Sequence, residues 1–130
     1  MTRKSILNKA GVFDENIVVM YEESDLAMRI KKLGYDIVVL TSAITYHDVL
    51  LPSEKNTNKL RKLGIETPER AYHFAKNRNI FVRRYFPWYG KITYSLIFKR
   101  AFAAYYVFEC IANKRIDIAK AYLKGMRYKV

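Results

Sequence analysis

Cysteine, glycine and proline are all scarce in this 130-residue sequence, and these scarcities exclude several classes of protein. The single cysteine, Cys110, excludes a disulfide framework and a cysteine-rich zinc module, and it is typical of a reducing compartment. The five glycines and three prolines form no low-complexity tract. Apolar residues make up 51% of the sequence, which argues against a disordered tail and allows one compact domain.

Long hydrophobic runs are also missing. Residues 1–11 lack the apolar stretch of a signal peptide, so we expect no export by that route. The stretch of residues 92–112 is long enough to cross a membrane as a helix, but Lys99 and Arg100 lie near its centre. Each central charge costs about 2.5–3.5 kcal/mol on insertion scales, against about 0.3–0.6 kcal/mol gained per large apolar residue. We therefore expect this stretch to lie on a membrane surface or to pack in protein rather than to span.

Acidic residues are scarce in only one part of the chain. Residues 1–48 hold six basic and seven acidic side chains, whereas residues 49–130 hold eighteen basic and five acidic ones. Fifteen of the nineteen aromatic residues also follow residue 48. The simplest interpretation is two segments with different roles, residues 1–48 and 67–130, joined by a polar loop at residues 49–66.

Helix signals occur twice in the first segment. Thr2 is a candidate cap for a short helix that ends at Gly11, and Ser24 is a candidate cap for a longer helix that ends at Gly34. Glycine is the usual residue after a helix because it tolerates positive φ.

Strand signals follow the second of these helices. Residues 35–40, Tyr-Asp-Ile-Val-Val-Leu, are β-branched and nearly continuously apolar, as a strand covered on both faces would be. A second extended stretch, residues 43–46, leads to His47. We therefore expect an α/β fold in the first segment.

The second segment is predicted to be mainly helical. A helix begins at Pro68, with Thr67 as its cap, and ends before Pro87, because proline disfavours helical geometry in the residue that precedes it. Further helices are predicted over residues 91–112 and 116–126.

The candidate site consists of acidic residues at the start of the second helix, Glu22, Glu23 and Asp25, with His47 about twenty residues later. The positive end of a helix dipole keeps carboxylates ionised, so that they can act as a base or as metal ligands. Carboxylates with one imidazole suit a hard divalent ion and a phosphate-bearing substrate. Two ordinary alternatives stay open: the acids only stabilise the helix, and the histidine is a hydrogen-bonded structural residue.

The order of these motifs resembles the second half of the catalytic domain of family 2 glycosyltransferases of the GT-A fold. The matching features are Lys-Ala-Gly-Val-Phe-Asp-Glu at residues 9–15, Tyr-Glu-Glu-Ser-Asp-Leu at 21–26, Arg29, Gly34-Tyr35, and Ala-Ile-Thr-Tyr-His at 43–47. The aromatic stretch 72–81, with Asn77-Arg78-Asn79, and residues 119–127, with Lys124-Gly125, are similar to later helices of many members.

The resemblance implies inverting transfer of a sugar from a nucleotide-sugar to an acceptor hydroxyl. Glu23 falls on the general base, with Glu22 and Asp25 in support, and His47 falls on a ligand of the divalent ion, Mg²⁺ or Mn²⁺, that holds the donor diphosphate. The resemblance also implies that four residues contact substrate: Phe13, Asp14, Arg29 and Arg78.

Two residues depart from the family pattern, and the donor-binding half is absent. The milder departure is Val12, which replaces the second glycine of the family's Gly-Gly-Phe motif. The base position holds glutamate rather than aspartate, which moves the carboxylate by about one ångström, enough to impair a positioned proton transfer. The nucleotide-binding half with its Asp-x-Asp metal motif should precede residue 1, so we expect transfer only in the presence of a donor-binding partner. A truncated gene, a split gene and an incompletely predicted gene all fit this expectation.

The basic half of the chain interleaves cations with aromatic residues between Arg70 and Arg100. This composition is typical of a helix at an anionic membrane surface. A transferase that acts on a lipid-linked acceptor needs that placement. We therefore expect a cytoplasmic protein that is peripheral at the inner face of the membrane. A solvated basic face over an aromatic core is the ordinary alternative. Nucleic-acid binding fits the charge, but no known nucleic-acid-binding motif is present. A docking subunit of a split transferase is a further alternative.

Overall fold

The computed structural model describes residues 2–42, 44 and 59–129, and this part of the chain is mostly helical. Its helices are α1 (Lys4–Ala10), α2 (Glu22–Lys32), α3 (Lys59–Lys62), α4 (Pro68–Tyr85), α5 (Trp88–Thr93), α6 (Lys99–Ala112) and α7 (Ile116–Met126). A π-helical turn, Tyr94–Phe98, joins α5 to α6, so residues 88–112 form one continuous helix.

The expected α/β fold is wrong, because the described residues contain no strand and hence no Rossmann-like element. Residues 35–40, predicted as a covered strand, have no regular structure, and the four apolar side chains from Ile37 to Leu40 are 58–84% exposed. A β-branched run favours a strand only when a neighbouring strand accepts its backbone hydrogen bonds and covers its faces. None of the described residues does so. Of the second predicted stretch, residues 43–46, only Ile44 is described.

Both helices predicted in the first segment exist, and they end where expected. Gly11 and Gly34 follow α1 and α2 with φ of +77° and +82°, a conformation that glycine adopts without a Cβ penalty. The helix starts differ from the predictions. Arg3, not Thr2, is the cap of α1, and α2 begins at Glu22, ahead of the predicted cap Ser24.

The helix signals of the second segment are confirmed. The Thr67 hydroxyl accepts a hydrogen bond from the Arg70 N–H (3.2 Å), Pro68 is the first residue of α4, and that helix ends before Pro87. In the predicted polar loop, residues 49–58 lie outside the described ranges and the remainder contains α3. Across the described ranges, no helix combines the length and the hydropathy that crossing a membrane requires.

Helices α4, α6 and α7 enclose the apolar core, with α3 at its edge. The rings of Tyr106 and Tyr122 stack across the interface of α6 and α7 with centroids 4.9 Å apart. The fully buried core residues are Leu60, Ile65, Ala71, Ala75, Cys110, Ile118 and Tyr122. In contrast, only two buried apolar residues, Ile17 and Ile30, lie among residues 2–42. The first segment therefore depends on contacts with α4 rather than on a core of its own.

The crossing of α4 and α7 depends on Gly125. A methyl group at this position would collide with the Tyr72 carbonyl oxygen and would lie 3.1 Å from the Ala75 Cβ. Because the obstacle is backbone in a packed interface, neither partner can move aside cheaply.

We predict that Gly125→Ala destabilises the protein by about 1–3 kcal/mol, the cost of overpacking a well-packed interface, although alanine is the better helix former by about 1 kcal/mol. The exposed α7 variant Lys120→Ala is the control and should change stability by less than about 0.5 kcal/mol. Urea unfolding followed by circular dichroism measures both variants. Equal stability of Gly125→Ala and the parent chain would contradict this account of the helix crossing.

Candidate functional site

The backbone that leads into α2 is strained. Val19, Met20 and Tyr21 have φ of 55°, 69° and 69°, a left-handed run that costs about 1–3 kcal/mol per residue without glycine. The fully buried Asn77 of α4 supports this run, because its Nδ2 lies 2.9, 2.9 and 3.0 Å from the carbonyl oxygens of Val18, Val19 and Met20. Helix α4 thereby determines where the acidic start of α2 lies.

Asp25 is a fully buried carboxylate with three side-chain partners. Its Oδ2 accepts a hydrogen bond from Arg29 Nε (2.9 Å), and its Oδ1 accepts from Arg84 Nη1 (2.9 Å) and the Tyr85 hydroxyl (2.6 Å). Burial by itself would raise the pKa of Asp25, but the bonds from Tyr85, Arg84 and Arg29 outweigh it and hold the pKa below its ordinary value. Burial and the bond to this carboxylate raise the pKa of Tyr85 to about 12.

Arg29 connects this carboxylate to the end of α1. Its Nη1 donates to the carbonyls of Ala10 (2.6 Å) and Gly11 (3.0 Å), and its Nη2 donates to the carbonyl of Val12 (2.8 Å). An arginine placed in this way satisfies carbonyls that a helix end leaves without partners. Arg29 thus positions the loop after α1, and the predicted contact of Arg29 with substrate stays a prediction.

Asp14 in that loop is also tied to α4. Its carboxylate lies 2.6 Å from Arg84 Nη2 and accepts hydrogen bonds from the backbone N–H (2.9 Å) and side-chain amide (3.0 Å) of Asn16. The bond from the Asn16 backbone, with help from Arg84, holds the pKa of Asp14 below its usual value. Three motif residues and two residues of α4 therefore form one group, which we call the Asp25 cluster: Asp14, Asp25, Arg29, Arg84 and Tyr85.

Glu23 lies beside this cluster and not in it. Its exposed side chain lines an open groove of about 330 Å³ between α2 and residues 36–38, and Phe13 and Asp36 line the same groove. No described cation forms an ion pair with Glu23. The neighbouring Glu22 differs, because its Oε2 is buried without a hydrogen-bond partner among the described residues. Of the acids at this helix start, only Glu23 lines the groove.

Among the remaining predicted site residues, Arg78 is not brought together with this groove. It lies in α4 among aromatic rings and lines a different cavity. His47 lies outside the described residues, so its role as a metal ligand stays a prediction. Within the described ranges, no three histidine, cysteine, aspartate or glutamate side chains are grouped as a metal site.

Sequence reasoning missed the residues of α4 that build the site, namely Asn77, Arg84 and Tyr85. The composition of this helix predicts that its cations face a membrane surface. Residues 76–79, Lys-Asn-Arg-Asn, place four consecutive polar side chains in this helix, a pattern that does not by itself distinguish buried from exposed positions. All four are in fact buried.

The chain matches no protein-family model, and neither curated proteins nor solved structures show significant similarity to it. The resemblance to family 2 glycosyltransferases therefore rests on the motifs alone.

We predict that Asp25→Asn destabilises the fold by about 1.5–3 kcal/mol at neutral pH, because hydrogen bonds from two arginines lose their charged acceptor. The folded pKa of Asp25 lies below its ordinary value of 3.8, so this stabilisation is present above that value and is lost as the pH falls through the folded pKa. Urea unfolding between pH 7 and pH 2.5 should show the difference between variant and parent shrinking below pH 3.8. The control is Asp36→Asn at an exposed position. If the difference in unfolding free energy between Asp25→Asn and the parent does not change with pH, the stabilisation does not come from the ionised carboxylate.

Proposed function

We propose that the chain is the acceptor-side part of an inverting glycosyltransferase, with Glu23 as the general base. The proposal is supported by one observation above all. Motif residues that are separated in the sequence, Asp14, Asp25 and Arg29, meet in one cluster beside a groove, and the exposed residue at the base position lines that groove. A proton acceptor held beside an open groove is what this reaction needs on the acceptor side.

The reaction requires Glu23 to act on the acceptor hydroxyl. The hydroxyl oxygen attacks the anomeric carbon of the donor sugar, its proton passes to the Glu23 carboxylate, and the bond from the anomeric carbon to the nucleoside diphosphate breaks. Asp25 does not take this proton, because its carboxylate is buried and occupied by three donors. It is a positioning residue that holds the start of α2 against α4.

The test is transfer of labelled hexose from UDP- or GDP-linked donors to a lipid or glycan extract. The purified chain is mixed with a separately expressed nucleotide-binding domain that carries an Asp-x-Asp motif. We predict that Glu23→Gln lowers the rate by about 100-fold or more, because a general base contributes at least that much. Glu15→Gln, an exposed acid outside the groove, is the matched control and should stay within about twofold of the parent.

Two outcomes would contradict the proposal. Unchanged turnover in Glu23→Gln would remove this residue from the mechanism. Absence of transfer by the unmodified chain with every donor and acceptor would count against the transferase assignment itself.

We also propose peripheral binding to an anionic membrane surface through the α5–α6 helix. Trp88 (74% exposed), Ile92 and Leu96 recur every four residues and form an exposed apolar row. Lys91 and Lys99 of the same helix line a surface pocket together with Arg83 of α4. Exposed apolar side chains combined with cations on one helix are characteristic of helices that lie in a membrane interface. Nucleic-acid binding remains the alternative, and a direct comparison with duplex DNA at fixed ionic strength tests it.

We predict that the chain floats with vesicles containing phosphatidylglycerol and that Lys91→Gln/Lys99→Gln weakens binding about 30-fold, since each cation near an anionic surface contributes about 1 kcal/mol. The control with the same net charge, Lys62→Gln/Lys120→Gln, changes exposed lysines elsewhere and should bind nearly as the parent does. Trp88 is the only tryptophan in the sequence, so a blue shift of its emission reports insertion directly. Equal weakening in both double variants, or tighter binding to duplex DNA, would contradict a dedicated membrane face.

A further inference from the structure

A second cavity, of about 580 Å³, lies between α4 and the helix of residues 88–112. Its volume is in the range of small-molecule sites. The walls are mainly aromatic, and we call it the aromatic cavity: Phe81, Phe86, Tyr89, Phe98 and Phe102 line it, together with Arg78. Neither the groove at Glu23 nor the Asp25 cluster contributes a wall.

Arg78 is the one charged side chain among the residues that line the aromatic cavity. Arg78 is 6% exposed, and no carboxylate of the described residues lies within ion-pair distance of its guanidinium. Ring faces surround the guanidinium, with Cζ 4.3 Å from the Phe102 centroid and 5.1 Å from the Phe74 centroid. These cation–π contacts offset part of the cost of burying the charge.

The hydrogen-bonding capacity of Arg78 is only partly used. Nη2 donates to the Tyr122 hydroxyl, and the hydroxyls of Tyr94 and Tyr106 also lie close to the guanidinium. The buried Nε has no acceptor among the described residues. A buried donor without an acceptor is costly, and a charged one more so. A guanidinium presents its N–H groups as a planar fork that matches the oxygens of a carboxylate or phosphate. The wall of the aromatic cavity thus offers a site for an oxyanion.

The apolar walls of the cavity indicate which chemical group carries the oxyanion. Phe86, Tyr89 and Phe98 line the cavity and are also exposed, and the Tyr89 ring contacts the ring of Trp88 in the exposed apolar row. The π-helical turn contributes Tyr94 and Phe98 to the cavity, and its changed helical phase moves the following side chains relative to those of α5. A chain too long for the cavity therefore remains against apolar side chains as it leaves.

We infer that the aromatic cavity binds an amphiphile with a single oxyanion head on an apolar chain, with the head held by Arg78. The inference rests on the cavity and not on the transferase proposal, so each can fail without the other. Two classes of ligand carry an oxyanion on a hydrocarbon chain: fatty acids, with a carboxylate, and alkyl phosphates.

The test titrates the full chain with decanoate and with decyl phosphate below their critical micelle concentrations. Two half-ligands serve as controls: decanol, which has the chain without the charged head, and inorganic phosphate, which has the head without the chain. Calorimetry should show that at least one of the two amphiphiles binds at least tenfold more tightly than either half-ligand, and comparison of the two identifies the source. In a ¹⁵N-resolved NMR spectrum, the Arg78 Nε–H signal should shift on addition of the amphiphile, which a purely structural arginine would not show.

Two variants and one control complete the experiment. Arg78→Met should lower the affinity at least tenfold, and Thr93→Trp, which adds bulk to the cavity wall and leaves the arginine in place, should do the same. Arg83→Met, an exposed arginine of the same helix, should stay within about twofold. Equal binding of decanol and the charged amphiphiles, an unmoved Nε–H signal, or full affinity in Thr93→Trp would each overturn the inference.

Discussion

The arrangement of the first segment depends on polar contacts with α4. Residues 2–42 contribute two buried apolar side chains, too few to fold on their own, so the segment is attached through the Asp25 carboxylate and the Asn77 amide. Buried polar groups of this kind stabilise only when their partners are in place, and they cost free energy when a partner is lost. Such contacts have demanding geometry, and they therefore determine one orientation of α2 rather than a range of them.

This geometry separates two acids that are only two residues apart in the sequence. Asp25 is buried and occupied by Arg29, Arg84 and Tyr85, whereas Glu23 is exposed in the groove. Three residues in a left-handed conformation precede α2, and strain of this kind persists only where surrounding structure maintains it. Asn77 provides that support from α4. The strained entry and the buried cluster together hold the groove residue at a defined place, as the transferase proposal requires.

Helix α4 also connects the helices of the second segment to one another. Asn79 donates to the Met126 carbonyl (3.1 Å) and accepts from the Tyr94 hydroxyl (2.9 Å), so the same polar stretch reaches α7 and the π-helical turn. Arg78 lies between these contacts, enclosed by rings on three helices. The aromatic residues that the sequence analysis assigned to a membrane surface therefore divide into two groups. Some enclose Arg78 and the aromatic cavity, and others, such as Trp88, face outward.

The sequence by itself determined the features that depend on neighbouring residues. The helix ends at Gly11 and Gly34, the cap at Thr67 and the end of α4 before Pro87 were all predictable, because capping, positive φ and proline sterics act within a few residues. Only the tertiary structure decided whether residues 35–40 form a strand, since a strand needs a partner for its backbone hydrogen bonds. It alone also decided which acid of α2 is buried, because the groups that bury Asp25 lie about sixty residues away on α4.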